Sequence, residues 1–207
     1  MGAAAVEQSV LRAQPAAHRP LRTTILNRLR EVRYMPESVL HARRRAAAES
    51  QLNDVKPRNV LFVCHGNICR SPFAAAIFAR LAPRALSQSV RVASVGFVGP
   101  GRTPPSKALT AGAKYGVDIS AHYSALATRE SLAAADLVVV MSEEQARSVR
   151  IRMVDDSTRV LVLGDLDPNP IERRTILDPW GGPDAAFDAS YDRIDRCVRE
   201  LVRILSA

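Results

Sequence analysis

Val60-Leu61-Phe62-Val63-Cys64-His65-Gly66-Asn67-Ile68-Cys69-Arg70-Ser71-Pro72 is the stretch that decides the fold. The apolar, β-branched residues 60–63 predict a buried strand. A helical pattern runs from Pro72 to about Leu81, with Pro72 in the first turn, where a missing N–H costs nothing. Between them lies a tight loop with a cysteine at its head and an arginine six residues later. A strand, a loop and a helix N-terminus in that order aim backbone N–H groups at a bound anion. The same electropositive position stabilises a thiolate. A thiolate, an anion cradle and a guanidinium fork are the parts needed to accept a phosphoryl group.

Outward from this stretch the chain alternates between strand and helix. Val90–Ser94, Leu137–Met141 and Val160–Leu163 read as three further strands. Pro105 to Tyr115 reads as a helix closed by Gly116. Thr128 to Ala134 reads as a short helix, and Ser142 to Gln145 as a capping box opening the next one. Asp184 to Leu205 predicts a long terminal helix. Its stripe of Phe187, Tyr191, Ile194, Val198, Leu201 and Leu205 steps by four and three. The expected fold is therefore α/β, a four-stranded parallel sheet with helices on both faces. Ligands of such sheets bind beyond the carboxyl ends of the strands, where Cys64 lies.

Residues 1–57 form an extension upstream of this pattern, ending at the boundary marked by Pro57, and the domain proper is expected over 58–207. Residues 1–20 lack apolar periodicity and read as disordered. Residues 21–33 predict a short basic amphipathic helix, and Glu37 to about Leu52 a second helix. The net charge of the 207-residue chain is +8. Residues 1–58 hold 11 Lys and Arg against 5 Asp and Glu, so six of those charges sit there. The rest of the chain is nearly neutral, so no nucleic-acid footprint crosses the fold. The bland reading of the arm, a solvated helical extension packing weakly on the domain, is preferred here. It is set against a membrane-surface anchor, an arm for an acidic partner and a transit peptide.

The bulk sequence bounds the rest. No run of about 18 apolar residues occurs, so no transmembrane span is expected. No secretory signal is present, and Val6 breaks the myristoylation motif begun by Gly2. Three cysteines, an odd and small number, point to a reducing, cytoplasmic setting rather than a disulfide framework. The four histidines are scattered without metal-ligand spacing, so neither metal nor other cofactor is expected.

Cys64 is the candidate nucleophile and Arg70 the bidentate clamp on phosphate oxygens, a task for which lysine is the poorer choice. Gly66 and Asn67 tolerate positive φ and would turn successive N–H groups inward. Ser71 can donate its hydroxyl to the sulfur or cap the helix. Expelling an alkoxide or phenolate needs a general acid. Asp178, in Leu177-Asp178-Pro179-Trp180-Gly181-Gly182, is favoured, with Trp180 as an apolar wall. Asp167, in Asp165-Leu166-Asp167-Pro168, is a competitor on sequence alone.

Cys64 to Pro72 resembles the signature of the low-molecular-weight protein tyrosine phosphatases, Cys-x-Gly-Asn-x-Cys-Arg-Ser-Pro, without a mismatch. Asp178-Pro179-Trp180 resembles that family's general-acid loop. The segments Ser94-Val95-Gly96, Gly116 to His122 and Asp136 to Met141 are similar to family segments as well. The resemblance covers about residues 58–207 and implies the flavodoxin-like, low-molecular-weight phosphatase fold. It implies hydrolysis of phosphate monoesters, phosphotyrosine in protein above all, through a cysteinyl-phosphate and without metal. It makes Cys64 the nucleophile, Arg70 the transition-state clamp, Asp178 the acid and then the base, and Ser71 the thiolate partner. The substrate phosphate would lie against His65, Gly66, Asn67, Ile68, Cys69 and Ser71, with Trp180 beside it. Ser94 and His122 would support Asn67, and Asp167 would be a supporting aspartate rather than the acid. Cys69 matches a second loop cysteine that can pair reversibly with Cys64. The implied partners are a phosphotyrosine protein and a tyrosine kinase acting on it; no nucleic acid is expected, and contact of the arm with a membrane surface is the less favoured reading.

Two segments depart from that pattern. Many relatives place a large aromatic in the loop after the second strand, which here reads Phe97 to Pro105, and some have two consecutive aromatics after Asp-Pro, where Trp180 is followed here by Gly181. Arsenate reduction on the same scaffold is the nearest rival. It requires relay cysteines, of which Cys197 alone remains, beside the apolar stripe of the terminal helix. A phosphate-binding module without catalysis is the other rival, and the presence of Cys64 and Asp178 argues against it.

Overall fold

The computed structural model describes residues 37–53, 55–152 and 158–207. The expectations for residues 1–36, including the helix at 21–33, lie outside the described residues. The first described element is helix α1 (Glu37–Asn53), followed by strand β1 (Asn59–Cys64), α2 (Arg70–Leu81) and α3 (Arg84–Ser89). Then come β2 (Arg91–Gly96), α4 (Ser106–Ala113), α5 (Arg129–Ala133) and β3 (Leu137–Val140). The chain ends with α6 (Glu143–Arg152), β4 (Arg159–Val162), a 3₁₀ turn (Leu163–Leu166) and α7 (Asp184–Leu205).

The four strands are parallel and ordered β2-β1-β3-β4. The chain leaves β1 for β2 on one side and later returns to β3 on the other. The crevice between the two connections opens at the carboxyl end of β1, where such sheets bind ligands.

Alternation along β1 divides the core in two. Val60, Phe62 and Cys64 face a layer built from α1, α2 and α7. Leu61 and Val63 face a smaller layer with Leu132 of α5 and Ala146 and Val149 of α6. Both faces are covered, which is why β1 and β3 read as unbroken apolar runs. In α7 the stripe Phe187, Tyr191, Ile194, Val198 and Leu201 is buried, and Leu205 packs at its edge.

Several boundaries differ from the sequence reading. Leu163 opens the 3₁₀ turn rather than closing β4, and α3 has no apolar periodicity strong enough to announce it. The Ser142 hydroxyl accepts from Gln145 N at 3.2 Å. The Gln145 side chain reaches back to Met141 N at 2.9 Å, one residue before the expected cap.

Helix α1 packs against the 3₁₀ turn and α7. Its Ala48 and Leu52 join the larger core layer, and Arg45 pairs with Glu200 of α7 at 2.9 Å. His41 is buried and its Nε2 lies 2.8 Å from the carbonyl oxygen of Asp167. The packed core thus includes residues upstream of Pro57.

Candidate active site

Cys64 ends β1 and its sulfur is buried at the floor of a cavity of about 160 Å³. Two donors converge on that sulfur. The Asn67 backbone N–H lies 3.2 Å away and the Ser71 hydroxyl 3.1 Å away. A sulfur that receives two hydrogen bonds is held as an acceptor, the arrangement a thiolate requires.

Asn67 makes the turn possible. Its φ is +51°, a left-handed conformation that asparagine tolerates better than most residues. Gly66, expected to share that conformation, does not. A buried network holds the strained residue in place. The Asn67 amide donates to the hydroxyls of Ser71 and Ser94, each at 2.9 Å, and its side-chain oxygen accepts from Ala125 N at 2.8 Å. His122 Nε2 lies 2.8 Å from the Asn67 carbonyl. Ser94 and His122 therefore meet at Asn67. A Cβ on Gly96, at the end of β2, would fall 2.8 Å from Asn67 N, so the two loops approach this closely only because Gly96 has none.

Helix α2 begins at Arg70, with Cys69 as its N-cap and no side-chain cap. Ser71 spends its hydroxyl on the sulfur rather than on capping the helix. The Cys69 carbonyl accepts from the Tyr191 hydroxyl at 3.1 Å, and the Tyr191 ring stacks on Phe73 at 3.9 Å between centroids. Burial pushes the Tyr191 phenol up, so it remains a donor. The Cys69 thiol is pushed up to about 12, by burial first and then by the Asp178 and Cys64 charges.

Asp178 enters from the far end of the chain, in the segment between the 3₁₀ turn and α7. One carboxylate oxygen pairs with Arg70 Nη2, and the other accepts from Trp180 N at 3.3 Å. Four anchors from distant elements hold this segment. Ile176 N donates to Met141 O at 2.9 Å, and Arg70 Nη1 donates to Ile176 O at 3.1 Å. Ser190 of α7 donates to Leu177 O at 3.2 Å, and Arg193 of α7 donates to Thr175 O at 2.9 Å. Trp180 is 66% exposed and stands at the cavity rim.

Asp167 lies outside this cavity. Its side chain is buried, with Arg193 Nε on one oxygen at 2.9 Å and Arg196 Nε on the other at 2.8 Å. Burial pushes its carboxyl up, but the Arg196 and Asn169 N–H bonds and the Arg193 charge outweigh that and hold it below the usual range. Asp167 thus fixes the arginine that fixes the Asp178 segment. Cys197 is fully buried on α7, and burial pushes its thiol up. Phe97 packs on the smaller core layer beneath Arg152, 4.8 Å from the ring centroid, and the next residue, Val98, lines the cavity instead. Among the described residues no cluster of three or more His, Cys, Asp or Glu has a metal-holding arrangement.

Residues 59–207 match the family model described as low molecular weight phosphotyrosine protein phosphatase. The chain belongs to that family. A low molecular weight phosphotyrosine protein phosphatase from Pongo abelii is 33% identical over 151 residues, spanning 70% of this chain and 94% of the relative. The solved low molecular weight protein tyrosine phosphatase from T. tengcongensis is 28% identical, with a TM-score of 0.62 over 70% of this chain and 97% of its own. The YwlE arginine phosphatase from Geobacillus stearothermophilus is 26% identical, with a TM-score of 0.62 over 72% and 93%. Within this phosphatase fold, sequence reasoning missed Tyr191, Arg193, Val98 and Arg102. The first two were legible only as a core aromatic and a helix cation. Val98 and Arg102 lay in a loop with no pattern of its own.

Proposed function

We propose that the chain hydrolyses phosphotyrosine in proteins through Cys64. The observation that carries this reading is the buried Cys64 sulfur under two donors, in one cavity with the Asp178 carboxylate that pairs with Arg70. The backbone of residues 65–69 and Ser71 would cradle the phosphoryl group. The Arg70 fork would leave Asp178 for two phosphoryl oxygens, where its planar geometry fits the charge spreading in the transition state. The Cys64 thiolate attacks phosphorus, the bond to the tyrosyl oxygen breaks, and Asp178, protonated once Arg70 has left it for the phosphoryl group, gives that proton to the oxygen. Water then attacks the cysteinyl-phosphate and its proton goes to Asp178. The S–P bond breaks, and the hydroxyl of Ser71 receives the returning charge on sulfur.

The cavity wall favours an aryl leaving group. Ile68, Val98 and Trp180 supply apolar surface, and Arg102 adds a cation that opposes the charge of a guanidinium substrate. Phosphotyrosine therefore fits better than phosphoarginine, the substrate class named by the arginine phosphatase relative. A tyrosine kinase must place the phosphate on such a substrate. The three free cysteines suit the reducing cytoplasm. Helix α1 of the basic arm is part of the packed domain, and no membrane or nucleic-acid partner is proposed for the arm. No helix among the described residues is long and apolar enough to cross a membrane.

The test is phosphate release from a phosphotyrosyl peptide, and from phosphoarginine, under reducing conditions. Cys64→Ser is expected to lose on the order of 10⁴-fold or more in kcat. Turnover that survives in that variant overturns the cysteine chemistry. Turnover of phosphoarginine alone overturns the substrate.

A further inference from the structure

Arg102 is held unlike the other arginines near the site. Arg70, Arg174, Arg193 and Arg196 each face a carboxylate. Arg102 instead donates only to neutral carbonyl oxygens. Its Nε reaches Gly99 O, and its Nη2 reaches Gly66 O and Val98 O, each at 2.9 Å. Among the described residues it has no carboxylate partner, and its Nη1 makes no hydrogen bond. Three carbonyls fix the direction of a guanidinium without cancelling its charge.

The loop is built to present it. Gly99 has φ +62°, and a Cβ there would fall 2.4 Å from Arg102 Nε. Arg102 N and Ser124 N tie the loop to the strand-like segment beside it, through Ser124 Oγ at 2.9 Å and Arg102 O at 2.8 Å. The guanidinium lines the same cavity as Cys64. Cys64 is at the buried floor, whereas Val98 and Trp180, which share the wall with Arg102, are exposed. The half-buried Arg102 thus stands between floor and rim, beside the mouth through which a group must enter to reach Cys64.

We infer that Arg102 is a specificity residue that reads a second negative charge on the substrate, next to the phosphotyrosine. The inference rests on the phosphotyrosine reading above and names its substrate class: phosphotyrosine flanked by an anionic group, either a carboxylate or a second phosphoryl group. The physical ground is an oriented, uncompensated cation in a partly desolvated wall. There, opposite charges about 4 Å apart interact several-fold more strongly than in bulk water. Arg70 serves the reacting phosphoryl group, which leaves Arg102 free for the neighbour.

The experiment compares phosphotyrosyl peptides identical except beside the phosphotyrosine, carrying Glu, Gln, Lys or a second phosphotyrosine. Wild type, Arg102→Gln and Arg102→Lys are each measured for kcat/KM. Binding of the same peptides is measured by calorimetry in the Cys64→Ser background. Wild type is expected to prefer the Glu peptide over the Gln peptide by about tenfold, through KM, with the preference falling as salt is raised. Arg102→Gln should reduce the ratio to about two or less, and Arg102→Lys should retain part of it. The Glu and doubly phosphorylated arms show which anion is preferred. A purely bracing Arg102 would lower all peptides by one common factor, leaving the ratio and its salt dependence intact, and that result overturns the inference. Absence of a preference in wild type does the same. If wild type turns over none of the peptides, the phosphotyrosine reading fails, and the binding ratios still decide the role of Arg102.

Discussion

The phosphate loop and the Asp178 segment face each other across one cavity and are held in opposite ways. From Cys64 to Ser71 the contacts around the sulfur close within eight residues: Asn67 N and Ser71 Oγ reach Cys64, and Asn67 Nδ2 reaches Ser71, while Ser94, Ala125 and His122 brace Asn67 from outside. The segment carrying Asp178 makes few such local bonds. It hangs from Met141, from Arg70 of α2, and from Ser190 and Arg193 of α7, three separate parts of the chain. One half of the site makes its contacts to the sulfur locally and is buried with the core. The other is placed by tertiary contacts and left exposed, with Leu177, Asp178 and Trp180 open to solvent. The difference suits the tasks proposed for them, since an anion cradle gains from preorganisation and an acid at the rim can reach the leaving oxygen.

The largest expected effect separates the two halves by chemistry. Asp178→Asn should lower kcat on a phosphotyrosyl peptide by about 10³-fold, within the range for general acids. The loss should be smaller for para-nitrophenyl phosphate, whose leaving group needs little protonation. Equal losses on both substrates would remove Asp178 from the leaving-group step and assign it to holding Arg70.

The local half is broken next. Asn67→Ala removes three side-chain hydrogen bonds from a residue at positive φ. It should cost about 2–3 kcal/mol in denaturant unfolding and about 10²-fold in kcat. Asn67→Gly relieves the φ and loses the same bonds. If it recovers nothing over alanine in either measurement, the strain account of this turn is wrong.

The smallest effect on turnover probes the remote anchor. Asp167→Asn should reduce kcat roughly tenfold by loosening Arg193, and should cost about 3 kcal/mol at neutral pH by leaving Arg193 with carbonyl acceptors alone and Arg196 with Asp192 as its one carboxylate. The folded state holds the Asp167 carboxyl below its ordinary range, so its contribution is present above the unfolded pKa of about 4 and is lost as pH falls through the lower folded value. The stability gap between wild type and variant should therefore close in acid. A gap that stays constant with pH would mean that Asp167 acts through packing alone.

The sequence by itself determined the parts whose information is local. A buried strand needs a run of apolar residues, a tight anion loop needs Gly66 and Asn67 types, and a helix against a core needs the four-and-three stripe of α7. Each is a short-range constraint, so β1, the phosphate loop and α7 were legible residue by residue, with Cys64, Arg70 and Ser71 among them. Between Asp178 and Asp167 the residues alone left a choice, because both are Asp-Pro pairs after strands. Only the tertiary structure sets one against Arg70 in the cavity and buries the other between Arg193 and Arg196. The same holds for Tyr191 on the Cys69 carbonyl and for Arg102 over Gly66, partners 122 and 36 residues apart. Hydrogen bonds at that separation leave no periodicity in the chain. They exist only because the sheet brings the carboxyl ends of its strands together.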